Sequence, residues 1–205
     1  MAIVARSERQ SFSPRSHTAE MSLNVLRAGT FLIIYNLMES SMRTAIEAIH
    51  DDLIGSRVEF QQLVGPIKKE IVRGFKKHAK PDVQVNMTHV PSELVSAALS
   101  IEDHFNGNVD ARLIKKIAET YLFSIETDTK ITRGGSMLLT VKNTRNDLAH
   151  GLKSYDEIGR EYTARDLLEM SIRSAAYIEQ ILANISDYLD QKMYLHENHV
   201  ANVAA

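Results

Sequence analysis

The chain has 205 residues, 44% hydrophobic and 24% charged, which suits one well-buried core and is short for two. Nine glycines and four prolines fall below average usage and favour long helices over a sandwich or barrel of tight turns. The lack of cysteine excludes a disulfide scaffold, a thiolate metal site and a cysteine nucleophile, and fits a cytoplasmic setting. With 24 Lys+Arg against 26 Asp+Glu the net charge is −2, so a nucleic-acid partner has to be met by a local patch.

The opening MAIVARSERQSFSPR has no apolar stretch of the kind a secretory signal needs. The most apolar window, residues 28–38, is too short to span a bilayer and is broken by Asn36 and Glu39, so no membrane partner is expected. It belongs to a long buried helix over 23–53, with Leu26, Ile33, Ile34, Leu37, Met38, Met42, Ile46, Ile49 and Leu53 at three- and four-residue steps, ended by Gly55. Glu39 is expected to pair with Arg43, to cap, or to reach a site. A second helix over 58–78, with a possible kink at Gly65-Pro66, lies in the most basic part of the chain. Lys68, Lys69, Arg73, Lys76 and Lys77 there form either an RNA-backbone track or a solvated face.

Residues 81–91 hold two prolines and little periodicity and read as an exposed loop. A short helix is expected over 92–104, and another, capped by Asp110, through Tyr121. Arg133-Gly134-Gly135 is a break, and Ser136 is the expected N-cap of a helix from Met137 to about His150, closed by Gly151. The last helix starts at Thr163, where TARD matches a capping box. Its expected apolar stripe is Leu168, Ile172, Ala175, Ile178, Leu182, Ile185 and Leu189. A single domain is expected, with 1–20 and 196–205 as flexible ends. The pair His196 and His199 lacks the partners of a metal site.

The informative segment is LLTVKNTRNDLAHG, residues 138–151. At about 100° per residue, Leu138, Val141 and Leu148 share the core side. Asn146 and His150 stack one turn apart on the opposite side, and Arg145 at its edge can swing toward them. A guanidinium can hold two phosphate oxygens, an amide can donate a further bond, and an imidazole can carry a proton to or from an oxygen. Lys142, on the same side, is a candidate RNA contact. Spacing alone also allows a surface ion pair of Arg145 with Asp147 or a contact of His150 with the helix end. An Arg-x4-His match is expected about half a time by chance in a chain of this composition, and Arg73 with His78 supplies a second one.

The string TRNDLAHG resembles the signature of the HEPN superfamily, an arginine, a polar residue, then a histidine four to six positions on. Together with FLIIYNLMESSMRTAIEAI, GNVDARLIKKIAETY and GLKSYDEIGREYTARDLLE it resembles the stand-alone MAE-type HEPN family over most of the chain. The resemblance implies an all-α helical bundle with long antiparallel helices, a homodimer, and a metal-independent endoribonuclease that needs no cofactor and acts as a toxin or in phage defence. It implies that His150 is the acid/base group, that Arg145 binds the scissile phosphate, and that Asn146 orients phosphate or histidine. The 2′-hydroxyl would attack, leaving a 2′,3′-cyclic phosphate. That reaction needs one group to take a proton and another to give one, so two chains joined through the Arg145–His150 face would supply both, with Leu139 in the contact. An antitoxin or defence partner protein is a further expectation. In members silenced by a nucleotidyltransferase, a tyrosine follows the histidine by two positions. Here that residue is Leu152, and Tyr155 is out of register. The other readings are a module that binds RNA or a nucleotide without cutting, and a helical interaction subunit of the antitoxin or immunity kind.

Overall fold

The computed structural model describes residues 17–56, 58–78 and 98–203. The chain is all-α: α1 His17–Gly55, a 3-10 turn Phe60–Gln62, α2 Gly65–His78, a 3-10 turn Ile101–Asp103, α3 Ala111–Tyr121, α4 Thr129–Thr132, α5 Ser136–Ala149, α6 Tyr155–Glu161, α7 Ala164–Asp190 and α8 His196–Val203. Among the described residues the only strand-like pairing is an isolated bridge between Leu63 and Leu195. Two compact units are built from interleaved segments, one from 1–40, 108–111 and 127–179, the other from 41–107, 112–126 and 180–205.

The helix expected over 23–53 extends two residues beyond its expected end and six before its start. Its length and composition would also satisfy a membrane span, yet buried residues recur along most of it, as in a core helix. Of the expected stripe, Ile34, Met38, Met42, Ile46, Ile49 and Leu53 are buried, whereas Leu26, Ile33 and Leu37 are exposed and Leu23, Ala28, Phe31 and Tyr35 are buried in the first half of the helix. A mixed three- and four-residue spacing admits two overlapping stripes, and the one carrying the large rings Phe31 and Tyr35 buries more area. The first half of α7 shows the same rotation: Leu167, Met170, Ser174 and Tyr177 are buried and the expected Leu168, Ile172 and Ala175 face out, whereas Ile178 and Ile185 are buried as expected.

In the first unit, α6 crosses α1 at Gly159, where an added Cβ would lie 2.2 Å from the Asn24 carbonyl oxygen. The buried Asn24 amide donates to Asp156 at 2.8 Å across the same crossing. Residues Arg133, Gly134 and Gly135 are all left-handed, with φ of 51°, 61° and 74°. Gly135, not Ser136, is therefore the N-cap of α5, and a Cβ there would also meet the Tyr177 ring at 2.9 Å. The Thr163–Asp166 capping box forms as expected, with Thr163 Oγ1 donating to Asp166 at 2.7 Å and accepting from its amide at 3.2 Å.

In the second unit, the helix expected from residue 58 begins at Gly65. Pro66 falls in its first turn, where a missing N–H costs no hydrogen bond, so the proline starts the helix instead of kinking it. The expected 92–104 helix gives way to extended Ser100 and the turn at Ile101–Asp103, its portion over 92–97 lying outside the described residues along with the 81–91 loop. The chain end expected to be flexible is helical as α8.

A polar cluster lies inside this unit. The Tyr121 hydroxyl sits 2.6 Å from His50 Nε2 and 2.9 Å from His104 Nε2, and Tyr194 donates to Asp52 at 2.6 Å. Burial, with the His104 charge adding to it, lowers the His50 imidazole from 6.5 to about 4. Burial lowers His104 too, against the opposing pull of Glu70. A folded-state value below the unfolded one means that the unfolded chain binds protons first on acidification. The stabilisation is whole above pH 6.5 and is lost as pH falls from 6.5 toward about 4. Urea titrations at pH 7 and pH 5 should differ by about 2 kcal/mol on account of His50. His50→Gln, which cannot take up the proton, should flatten that difference, and an equal difference in the variant would exclude His50 as its source.

Candidate functional site

The site grows from the end of α5 and from two segments of the first unit packed on it. Leu138, Val141, Thr144 and Leu148 are buried, which fixes the rotation of the helix and leaves Lys142, Arg145 and Asn146 half-buried at its edge. His150 follows one turn later as the C-cap and is exposed. The helix closes through backbone alone: Gly151, at φ 66°, sends its N–H to Leu148 at 3.3 Å, and the Leu152 N–H reaches Asp147 at 2.9 Å. These are the paired bonds of a Schellman ending, which wants glycine at that point.

The segment 108–110 is tied to α5 and to α1 at three successive residues. Asn146 Nδ2 donates to Asn108 Oδ1 at 3.0 Å, the Val109 N–H donates to the Tyr35 hydroxyl at 3.1 Å, and Lys142 Nζ donates to Asp110 at 2.6 Å. Arg145 Nη1 donates to Asn146 Oδ1 at 2.9 Å. Its guanidinium carbon lies 4.4 Å from the centre of the Tyr35 ring, within cation–π range. Burial pushes the Tyr35 phenol up. The Val109 amide opposes that, and Glu39, which accepts a hydrogen bond from the phenol, adds to it. Glu39, for which pairing with Arg43 is the default expectation, lies one turn on from Tyr35 and acts on its phenol.

Of the residues expected to act together, Arg145 and Asn146 are joined directly, and His150 belongs to the same helix end. Lys142 is committed to Asp110. The basic residues of α2 belong to the second unit. There Lys68 donates to the Gln61 carbonyl at 2.7 Å, Arg73 pairs with Glu70 and Lys77 with Asp103, while Lys69 and Lys76 are exposed. Three contributors were not anticipated. Asn108 and Asp110 are brought in by tertiary contacts, and Tyr35 lies in an apolar run where it reads as core. Among the described residues, no three His, Asp or Glu side chains gather as a metal-binding group.

The arrangement offers a fixed planar cation, two linked amides and an exposed imidazole on one helix end, which suits a phosphodiester better than an apolar ligand. A family model described as HEPN_MAE_28990-like HEPN matches residues 4–194. No curated protein and no solved structure matches the chain.

Proposed function

The chain belongs to the HEPN_MAE_28990-like HEPN family, whose coarse reading is an RNase-like or nucleotide-related role, and from that premise we propose that it is a metal-independent endoribonuclease, acting as a toxin or in defence against phage. The observation that carries the reading is the Arg145 guanidinium, seated over the Tyr35 ring and hydrogen-bonded to Asn146, one turn before an exposed histidine. Arg145 meets the scissile phosphate and offsets the charge that builds on its oxygens during in-line attack. His150 takes the proton of the 2′-hydroxyl or returns one to the departing 5′-oxygen. The products are a 2′,3′-cyclic phosphate and a 5′-hydroxyl. Asn146 orients the arginine, since its carbonyl accepts from Arg145 while its amide is anchored on Asn108. Lys142 serves chiefly to hold the 108–110 segment through Asp110, and in the second unit exposed Lys69 and Lys76 are separate candidates for RNA-backbone contact.

One histidine in each chain's motif leaves one proton transfer without a group, so the reading includes a homodimer through the Arg145–His150 face. Exposed Leu139, Leu152 and Tyr155 support an apolar contact near that motif. The test is incubation of structured and single-stranded RNA with the protein in EDTA, with product ends identified chemically. Cyclic-phosphate ends are expected, and Arg145→Ala should slow their formation by about 10²- to 10³-fold, the scale of a lost oxyanion donor. Tight RNA binding without cyclic-phosphate product would make the protein a binding module instead.

A further inference from the structure

We propose that Tyr35 is a positioning residue for Arg145: its ring fixes where the guanidinium sits, and its hydroxyl, held by the Val109 amide, fixes the ring. The assignment deepens the ribonuclease reading and rests on it for the identity of the ligand. A guanidinium recognises phosphate through the N–H groups along its edge, in its own plane. An arginine on a long stem would sample many planes. Here the guanidinium carbon sits over an aromatic ring, 4.4 Å from its centre, and Nη1 is held by Asn146 at 2.9 Å. Those two contacts limit how far the guanidinium can move.

The ring is itself immobile. Tyr35 is fully buried in α1, and its hydroxyl accepts the Val109 N–H at 3.1 Å. A phenol needed only for packing could be a phenylalanine. One that accepts a backbone N–H and has a cation over its ring couples three segments of the site: the Val109 backbone, α1 and the end of α5.

Two readouts test the assignment. The first is the affinity for a 2′-O-methyl RNA oligonucleotide, which has no nucleophile and cannot be cut, measured by fluorescence anisotropy. Tyr35→Met should weaken binding about fivefold to tenfold in the native chain, the scale of a lost cation–π contact. In an Arg145→Ala background the same change should cost less than about twofold, because the group it positions is gone. Tyr35→Phe keeps the ring and should stay within about threefold. The second readout is cleavage of the unmodified oligonucleotide, in which Tyr35→Met should lower kcat about 10- to 100-fold, the cost of a misplaced group.

An equal loss in both backgrounds would make Tyr35 a merely structural residue and overturn the assignment. If Tyr35→Met does not fold, Tyr35→Leu takes its place in the native and Arg145→Ala backgrounds, and an equal loss in both again overturns the assignment. A native chain that binds the 2′-O-methyl RNA and does not cut its unmodified counterpart overturns the ribonuclease reading, and the binding comparison still decides Tyr35. Cleavage with an equal loss in both backgrounds overturns Tyr35 alone, and a chain that neither binds nor cuts overturns both.

Discussion

His150→Ala is expected to lower RNA cleavage by about two to four orders of magnitude, the range in which a positioned acid or base contributes, with the fold unchanged. The second half of that expectation follows from how α5 ends. Its last carbonyls are closed by the backbone N–H groups of Gly151 and Leu152, the His150 N–H reaches the Asn146 carbonyl at 2.9 Å, and the imidazole is exposed. None of those bonds needs the side chain, and alanine is the best helix former. Circular dichroism and urea midpoints should therefore match the native chain within about 0.5 kcal/mol, so a lost rate is a loss of chemistry. RNA affinity should fall far less than the rate, because on the proposed reading the guanidinium would hold the phosphate. A variant cleaving at the native rate would remove His150 from the mechanism. One that loses affinity and rate in equal measure would make it a binding group.

How much of this site the sequence reveals depends on where its partners lie along the chain. Arg145, Asn146 and His150 share one helix, and periodicity alone puts them on one side of it, so their juxtaposition is legible from residues 138–151. Gly151 is equally legible, because a left-handed residue closing a helix is a local requirement. Asn108 and Tyr35 lie 38 and 110 positions away from the residues they touch, and no local rule connects them. The one signal available was Glu39, a carboxylate in an otherwise apolar stretch, which marks the turn of α1 next to Tyr35. The roles changed with the partners: Asn146 is read from sequence as facing phosphate or histidine, and with Asn108 and Arg145 in view it is a brace for the arginine.

The fold divides in the same way. The long helices α1, α5 and α7, the Thr163 capping box and the break at Arg133–Gly135 are local and agree with the sequence. The choice of buried face on α1 and on the first half of α7 is tertiary. Leu26, Ile33 and Leu37 fit a helical stripe as well as Phe31 and Tyr35 do, and the larger rings take the interior. The exposed Leu168 and Ile172 line, with Ile131, a groove of about 360 Å³ edged by Arg165, Arg173 and Glu169, a direct outcome of that rotation.

Gly159→Ala is expected to destabilise the protein by about 3 kcal/mol, from overpacking plus a strained buried hydrogen bond. By helix propensity alone the change should stabilise, since alanine is better than glycine inside a helix by about 0.8–1.0 kcal/mol. What opposes it is backbone: the new Cβ would lie 2.2 Å from the Asn24 oxygen, 2.3 Å from its Cα and 2.5 Å from its carbonyl carbon. A side chain could turn away, but the Asn24 backbone, two turns inside a 39-residue helix, cannot. The crossing has to open, and with it goes the registry that lets Asn24 donate to Asp156 at 2.8 Å and Arg27 reach the Gly159 carbonyl at 3.5 Å. Gly29→Ala is the matched control. It is also a helical glycine of α1, with nothing within 4 Å of its added Cβ, and it should gain about 0.5–1 kcal/mol. Urea unfolding of the two variants beside the native chain gives the answer in one experiment. Opposite signs are the signature of a steric crossing, and a Gly159→Ala protein as stable as Gly29→Ala would mean that α6 does not approach α1 at this point.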